Sequence, residues 1–336
     1  MKTLLILALI SINTLAMPRA SLSQSVFQNA DGDQTKVSDG FANLMQNVNL
    51  ILQDGMTTWT DPRGPITQKA AELGLSAGDV MRIREMVGYV ICPGNNGVGA
   101  VSGTGMLIGI GGHVVIDAHI FIDPDTNQRR EPLSDCVYIN QLDYKPIKLD
   151  FSSERTYKFY ANSPKREWYN DRAIVRLKSR PSVQPLQLDS WNTPLKPGDK
   201  IIMISVVQQR LTFPLQQRAV NFTLHNGVTV STNIYSEPLV QSCSVKLYYP
   251  PKTGASSAVY TDCNDTEGAS GSVMAVRLAG GQMVAKALLE QGRGSDSDYK
   301  PFEVGDGVPD PELSYSLGVG LDPQVASDVL EMEGLR

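Results

Sequence analysis

The sequence predicts an all-β fold, a barrel or a sandwich of many short antiparallel strands. Two observations carry that expectation. Short apolar, β-branched runs recur from about residue 87 to residue 320, with Gly, Pro, Asn or Asp between them. The 29 glycines and 20 prolines are spread along the chain and leave few stretches that can stay helical.

In chain order, Met1-Lys2, the apolar stretch from Leu4 to Ile12 and the small residues around Ala16 and Ala20 form a secretory pattern. Residues 1–20 are therefore expected to be a signal peptide. The apolar stretch is shorter than the roughly 20 residues that a membrane span needs. The expected destination is secreted, extracellular or periplasmic, with no membrane contact once the signal is removed. Residues 21–86 are expected to be a helical pro-region or N-terminal extension. They contain a polar lead-in to residue 37, then an apolar helical spacing over Phe41, Leu44, Met45, Val48, Ile51 and Leu52. A short helix is expected at 66–73, closed by Gly74, and another from Ser76 with Asp79 in a capping-box position, running through Val80, Ile83 and Met86. A cut near Arg84 or Glu85 would release a new start at Met86; a permanent extension is the other reading.

Strands are expected at 87–92, 104–110, 113–117, 136–140, 173–177, 200–207, 217–224, 228–234, 273–278, 282–289 and 313–320. Asp322-Pro323 is a cap-and-first-turn pair for a short C-terminal helix with Val325, Val329 and Leu330. The net charge is −5, the pI is near 5.3 and no run of Lys and Arg stands out, which argues against nucleic acid as the partner. Four cysteines in a chain sent to an oxidising compartment read as two disulfides. Three pairings exist. Cys92–Cys136 and Cys243–Cys263 are expected, because neighbours would then staple one loop in each half of the chain, each stabilising by roughly 2–4 kcal/mol. A zinc site is the weaker reading, since there is no Cys-x-x-Cys pair and the histidines lie apart from the cysteines.

Only three histidines can serve as a general base: His113, His119 and His225. His113 follows a Gly-Gly turn and His225 precedes an Asn-Gly hairpin signal. His119, at the end of the apolar run Val114-Val115-Ile116-Asp117-Ala118, would stand at a loop edge. Ser270 lies between Gly268 and Gly271, where the backbone can turn sharply and aim N–H groups at one point, as an oxyanion requires. Asp171 opens the run Ala173-Ile174-Val175, where a partly buried carboxylate can orient an imidazole. Each alone has a bland reading as a turn or surface residue.

Together the three segments resemble the trypsin-like, chymotrypsin-fold serine peptidases. Residues 103–121, GTGMLIGIGGHVVIDAHIF, look like that family's strand-and-hairpin lead to its histidine. NDRAIVRL is similar to its Asp segment, and DCNDTEGASGSVM to its Gly-x-Ser-Gly loop. The order is His, Asp, Ser, and the resemblance covers roughly residues 87–330, looking closest to the bacterial secreted branch related to glutamyl endopeptidases. It implies two six-stranded antiparallel β-barrels, over about 87–180 and 181–336, within a peptidase domain at 87–336. It also implies a secreted serine endopeptidase acting through His119, Asp171 and Ser270 and an acyl-enzyme. The N–H groups of Gly268 and Ser270 would form the oxyanion hole. The strand at 285–289, with Ala287, Leu288 and Leu289, would pair with substrate backbone, and Asn264, Asp265 and Thr266 would stand at the base of the primary pocket. Asp265 could select Lys or Arg, or could be a surface loop residue; Glu290 has a similar pair of readings. The expected partner is a protein or peptide substrate, the expected state a monomer, and no cofactor or metal is implied.

Three departures stand out. Asp117 replaces a small residue two positions before the histidine. Ala269 replaces the Asp that pairs with a freed N-terminal amine in the digestive branch, so activation by that ion pair is not expected. Ser272 replaces the last glycine of Gly-Asp-Ser-Gly-Gly. Asp117 keeps open the alternative of an inactive homologue that binds peptides. An α/β-hydrolase is disfavoured, because residue 272 is not Gly and the order is not Ser, Asp, His.

Overall fold

The computed structural model describes residues 62–93, 100–110, 112–123, 126, 128–152, 157–159, 171–181, 194–207, 215–250, 257–265, 268–278, 280–293, 315–321 and 323–334. The expected signal peptide, the helix expected within 38–55 and Thr266 lie outside the described residues.

Two closed antiparallel barrels carry the structure. The first is built from β2 (Val87–Pro93), β3 (Ala100–Ile108), β4 (His113–Ile116), β5 (Val137–Asn140), β6 (Pro146–Asp150) and β8 (Ala173–Leu177). They run in the order β4-β3-β2-β5-β6-β8, closed by pairing of β4 with β8, and β7 (Tyr157–Phe159) adds to β8. The second is built from β9 (Lys200–Ser205), β12 (Leu239–Tyr249), β13 (Ala258–Thr261), β14 (Val273–Arg277), β15 (Met283–Arg293) and β16 (Tyr315–Gly320), in the order β12-β13-β16-β15-β14-β9. Pairing of β12 with β9 closes it. Between β9 and β12 a separate ribbon, β10 (Gln217–Thr223) with β11 (Thr229–Tyr235), leans on the first barrel. Tyr235 donates its N–H to Tyr89 Oη at 2.7 Å, and Gln141 donates to the Tyr235 carbonyl at 3.0 Å.

The near-continuous apolar runs of several strands have a physical cause. Side chains alternate between two buried faces rather than between core and water. On β9, Ile201 and Met203 fill the second barrel, while Ile202 and Ile204 enter the cluster between barrels. On β4, Val114 and Ile116 fill the first barrel and Val115 faces the same shared cluster. Each barrel interior also holds one disulfide, Cys92–Cys136 in the first and Cys243–Cys263 in the second. The pairing is the one expected from neighbour stapling.

Residues 64–86 are packed into this arrangement. β1 (Gly64–Pro65) pairs with β12, α1 is a single turn (Ile66–Lys69), and α2 (Ala77–Met86) runs directly into β2. Ser76 caps α2: its hydroxyl accepts the Asp79 N–H, and the Asp79 carboxylate accepts the Ser76 N–H, the reciprocal box expected from the sequence. Ile66, Ile83 and Met86 are fully or almost fully buried in the shared cluster. Asp79 also reaches Arg277 of β14 at 2.9 Å, so the segment touches the second barrel before it becomes the first strand of the first. The bond between Glu85 and Met86 lies inside α2, next to a side chain with no exposed surface. At the other end, α3 (Pro323–Met332) buries Val325 and Val329 and leaves Leu330 39% exposed, so the expected apolar face is one residue narrower.

Five strands were not among those expected, four of them short or broken by Pro or Lys. β6 begins with Pro146 and carries Lys148, β13 has only four residues, and β1 and β7 are shorter still. β12 was also unanticipated, although it is among the longest, because Gln241, Ser242 and Ser244 interrupt its apolar pattern. Ile83→Ala is expected to lower unfolding stability in denaturant by about 2–5 kcal/mol, the range for emptying a fully buried aliphatic site. An unchanged midpoint would show that α2 does not belong to the cooperative fold.

Candidate active site

His119, Asp171 and Ser270 come together at the seam between the barrels. β4 and β8 are antiparallel neighbours in the register Ile116↔Ala173. The chain leaving β4 therefore runs beside the chain entering β8, and residues just past Ile116 meet residues just before Ala173. The short 3-10 turn Ala118–Ile120 then presents the imidazole. Asp171 grips it twice: its Oδ1 accepts the His119 N–H at 2.9 Å, and its Oδ2 lies 2.7 Å from Nδ1. These bonds fix the ring and give Nδ1 the proton, so in the neutral imidazole Nε2 is the acceptor. Nε2 stands 2.9 Å from Ser270 Oγ.

Ser270 is positioned from both barrels. Its carbonyl accepts the Thr104 N–H from β3 at 2.8 Å, and on the other side Gly271 donates to Leu289 of β15 at 2.8 Å. Gly271 has φ +78°, and a Cβ there would stand 2.0 Å from the Thr104 carbonyl oxygen. Both facts demand glycine. Thr104 further accepts the Val206 N–H at its hydroxyl, 3.1 Å away. Ser272, the departure from a final glycine, is fully buried and donates its hydroxyl to the Ala269 carbonyl while meeting Ser205. Gly268 has φ +90°. Neither the Gly268 nor the Ser270 N–H serves any acceptor among the described backbone groups.

Charge concentrates around the imidazole. Burial opposes its protonation, but Asp171, with Asp117 and Glu290 close by, outweighs burial and raises His119 to about 9. Burial pushes Asp171 up as well; the His119 charge and the hydrogen bonds from His119 and Ala118 prevail and hold it below its ordinary value. Asp117 has no exposed surface; the Gly271 N–H acts on its carboxyl, but neither oxygen makes a close hydrogen bond among the described residues, and burial drives the carboxyl well above the usual range. Burial also raises Glu290, on β15, to about 8. The sequence singled out Asp117 as a departure and gave Glu290 two readings, but showed neither beside the His119–Asp171 pair.

The other histidines are held away from this place. His113 lies buried against Glu333 at 3.4 Å, and His225 clasps Asp135 at 2.6 Å. Asn264 is buried, its N–H donated to Gln241 Oε1 at 3.0 Å. Asp265 is bonded to Ser316, and the Arg63 guanidinium acts on it; burial lifts its carboxyl to about 7. A carboxyl so engaged is not the free anion that selection of Lys or Arg would need. The expected pairing of residues 285–289 with substrate is corrected by the sheet. Ala287 and Leu288 are paired on both sides, with β14 and with β16, and Leu289 is bonded to Gly271 and Ser272 on one side and registers with Gly318 on the other. No edge is left there. Past Leu289, the segment Gln291–Arg293 of β15 pairs only with β16 among the described residues, so the open edge among them lies a few residues further on. The register Gly292↔Ser316 brings that edge beside Asp265. The bulge between Leu289 and Gln291, invisible to a period-two reading, ends the double pairing here.

Gly271→Ala is expected to lower stability by more than about 1 kcal/mol and to part Ser270 from His119, as thermal unfolding and a structure of the variant would report. A variant with unchanged stability and an unchanged Ser270–His119 contact would show that the Thr104 approach is not tight.

No protein-family model matches the chain, and no curated protein matches it in sequence. Solved structures do. A Glu endopeptidase is 11% identical over 83% of this chain and 100% of its own, with a TM-score of 0.50. The thermostable serine protease AL20 from an extremophilic microorganism is 12% identical over 75% of this chain and 99% of its own, at 0.46. The protease Anisep from Arthrobacter nicotinovorans is 10% identical over 74% and 96%, at 0.44. With its two closed six-stranded barrels and its likeness to the Glu endopeptidase, the chain has the chymotrypsin fold.

Proposed function

We propose that this protein is a serine endopeptidase that cleaves peptide bonds through an acyl-enzyme. The observation that carries the reading is the unbroken hydrogen-bond series Asp171–His119–Ser270, at 2.7 and 2.9 Å. In this reading Ser270 Oγ attacks the scissile carbonyl while Nε2 takes its proton. Asp171 holds the ring and stabilises the imidazolium. The carbonyl oxygen, now an anion, is received by the uncommitted N–H groups of Gly268 and Ser270, a device in which one donor contributes about 3 kcal/mol to the transition state. The imidazolium then gives its proton to the departing amine. Water repeats the sequence to free the acid and restore Ser270.

Substrate backbone lies extended against the open edge at Gln291–Arg293, adding a strand to the second barrel. Asn264 and Asp265 flank the primary pocket beside that edge. Ala269 in place of an Asp means that activation does not run through an ion pair at that position. The two disulfides suit an oxidising compartment, and residues 1–20 are the signal that would lead there. No described helix is long and apolar enough to cross a membrane.

A fluorophosphonate is expected to label wild-type protein at Ser270, located by peptide mass spectrometry, and to leave Ser270→Ala and His119→Ala unlabelled. Natively folded wild-type protein that stays unlabelled would contradict the reading and favour a peptide-binding homologue. The sign of the pH dependence follows from His119. The base works only when neutral, and its value near 9 keeps it protonated at neutral pH. The second-order rate of labelling is therefore expected to climb about tenfold per pH unit below that value and to level above it. A rate already level at pH 7 would show that His119 is not so shifted.

A further inference from the structure

Three carboxyl groups, one fully buried and two half-buried, act on one imidazole, and the peptidase reading uses only Asp171. Asp117 ends β4 two residues before His119. Glu290 comes from β15, one residue past the Leu289 that anchors the serine loop. Both oxygens of Asp117, on which only the Gly271 N–H acts, and Oε2 of Glu290 are buried without a close hydrogen-bond partner among the described residues. Such groups are costly unless they do something there.

We propose that Asp117 and Glu290 are positioning residues behind the His119–Asp171 pair, a second line of acids whose charge sets the basicity of His119. The inference rests on the peptidase reading for its purpose, though not for its test. The groups facing the cluster are few. Asp117 feels His119, Asp171 and Glu290; Glu290 feels Asp171 and His119. His119 is the cation that acts on both acids. The guanidinium of Arg172, which follows Asp171, is turned to the Gly320 carbonyl.

Three carboxylates cannot all ionise around a single cation away from water. Asp171 holds the charge because His119 bonds to both its oxygens, while burial favours the protonated form of the other two. Neutral, they leave the imidazole to Asp171 alone. As pH rises past about 8, Glu290 ionises beside it, stabilises the imidazolium and makes the base harder to release. The alkaline value of His119 thus belongs in part to these neighbours. The buried acids also bear on stability. A carboxyl raised by folding contributes stability that is present below its unfolded value, near 4.5 for Glu290, and lost as pH climbs through about 8.

The test is an NMR titration of the His119 ring in wild type, Glu290→Gln and Asp117→Asn, with thermal unfolding at pH 5 and 8.5 alongside. Each isosteric amide is expected to lower the His119 midpoint, by about one unit for Glu290→Gln, and to move the acid limb of labelling down equally. Glu290→Gln is expected to gain Tm on wild type at pH 8.5 and not at pH 5. A His119 midpoint unchanged in both variants overturns the proposal, even where proteolysis is robust. A shifted midpoint in protein that no substrate or phosphonate engages would support the acids' role and sink the peptidase reading instead. If one variant fails to fold, the other decides by the same criterion.

Discussion

Thr104 joins the two barrels at the place where the chemistry is assembled. Its N–H donates to the Ser270 carbonyl, its hydroxyl accepts from Val206, and its own carbonyl fills the space that a side chain on Gly271 would need. Gly103, beside it, is also tight, since a Cβ there would press on Ile120 and on the Ser270 carbonyl at 3.0 Å. The Gly-Thr-Gly of β3 is therefore a docking surface for the serine loop. Because His119 and Asp171 belong to the first barrel and Ser270 to the second, the 2.9 Å contact between Nε2 and Oγ depends on this seam. The shared apolar cluster, α2 and α3 keep the seam closed from outside. Glu333, just past α3, accepts the Ile110 N–H at 2.8 Å, so a helix that follows the last strand of the second barrel returns to the first.

The strength of the dyad comes from geometry before charge. Antiparallel pairing of β4 with β8 places the Asp171 carboxylate against both the backbone and the ring of His119, so the ring has one orientation and one tautomer. Charge then adds to what pairing has arranged. A base poised near 9 is strong but mostly occupied at neutral pH, and the balance among Asp171, Asp117 and Glu290 decides how much of it is available. Asp117, which kept an inactive homologue in view when only the sequence was considered, does not block the site. It has no exposed surface, and Nε2 still faces Ser270.

Much of this was legible in the sequence, for identifiable reasons. The strands of the first barrel, apart from β6 and β7, show because their alternation falls between two apolar faces and leaves dense runs of Val and Ile. The Ser76–Asp79 box announces α2 because capping is a local interaction. The cysteine pairing followed from chain proximity. What escaped was long-range. β12 carries Gln241, whose side chain is bonded to the backbone of Asn264, so this polar residue serves a loop rather than water. The open edge at Gln291–Arg293 depends on a bulge, and the meeting of Asp117 with Glu290 joins positions from different barrels. Neither leaves a periodic trace.

The central claim is that Ser270 is a nucleophile activated across the barrel seam. Pre-steady-state hydrolysis of a p-nitrophenyl ester tests it most directly, because acylation releases the phenol before water frees the enzyme. The account predicts a burst approaching one equivalent of phenol per molecule, followed by slower turnover, with no burst from Ser270→Ala. Folded wild-type protein with both disulfides intact that hydrolyses the ester no faster than Ser270→Ala, and shows no burst at pH 7 to 10, would contradict it.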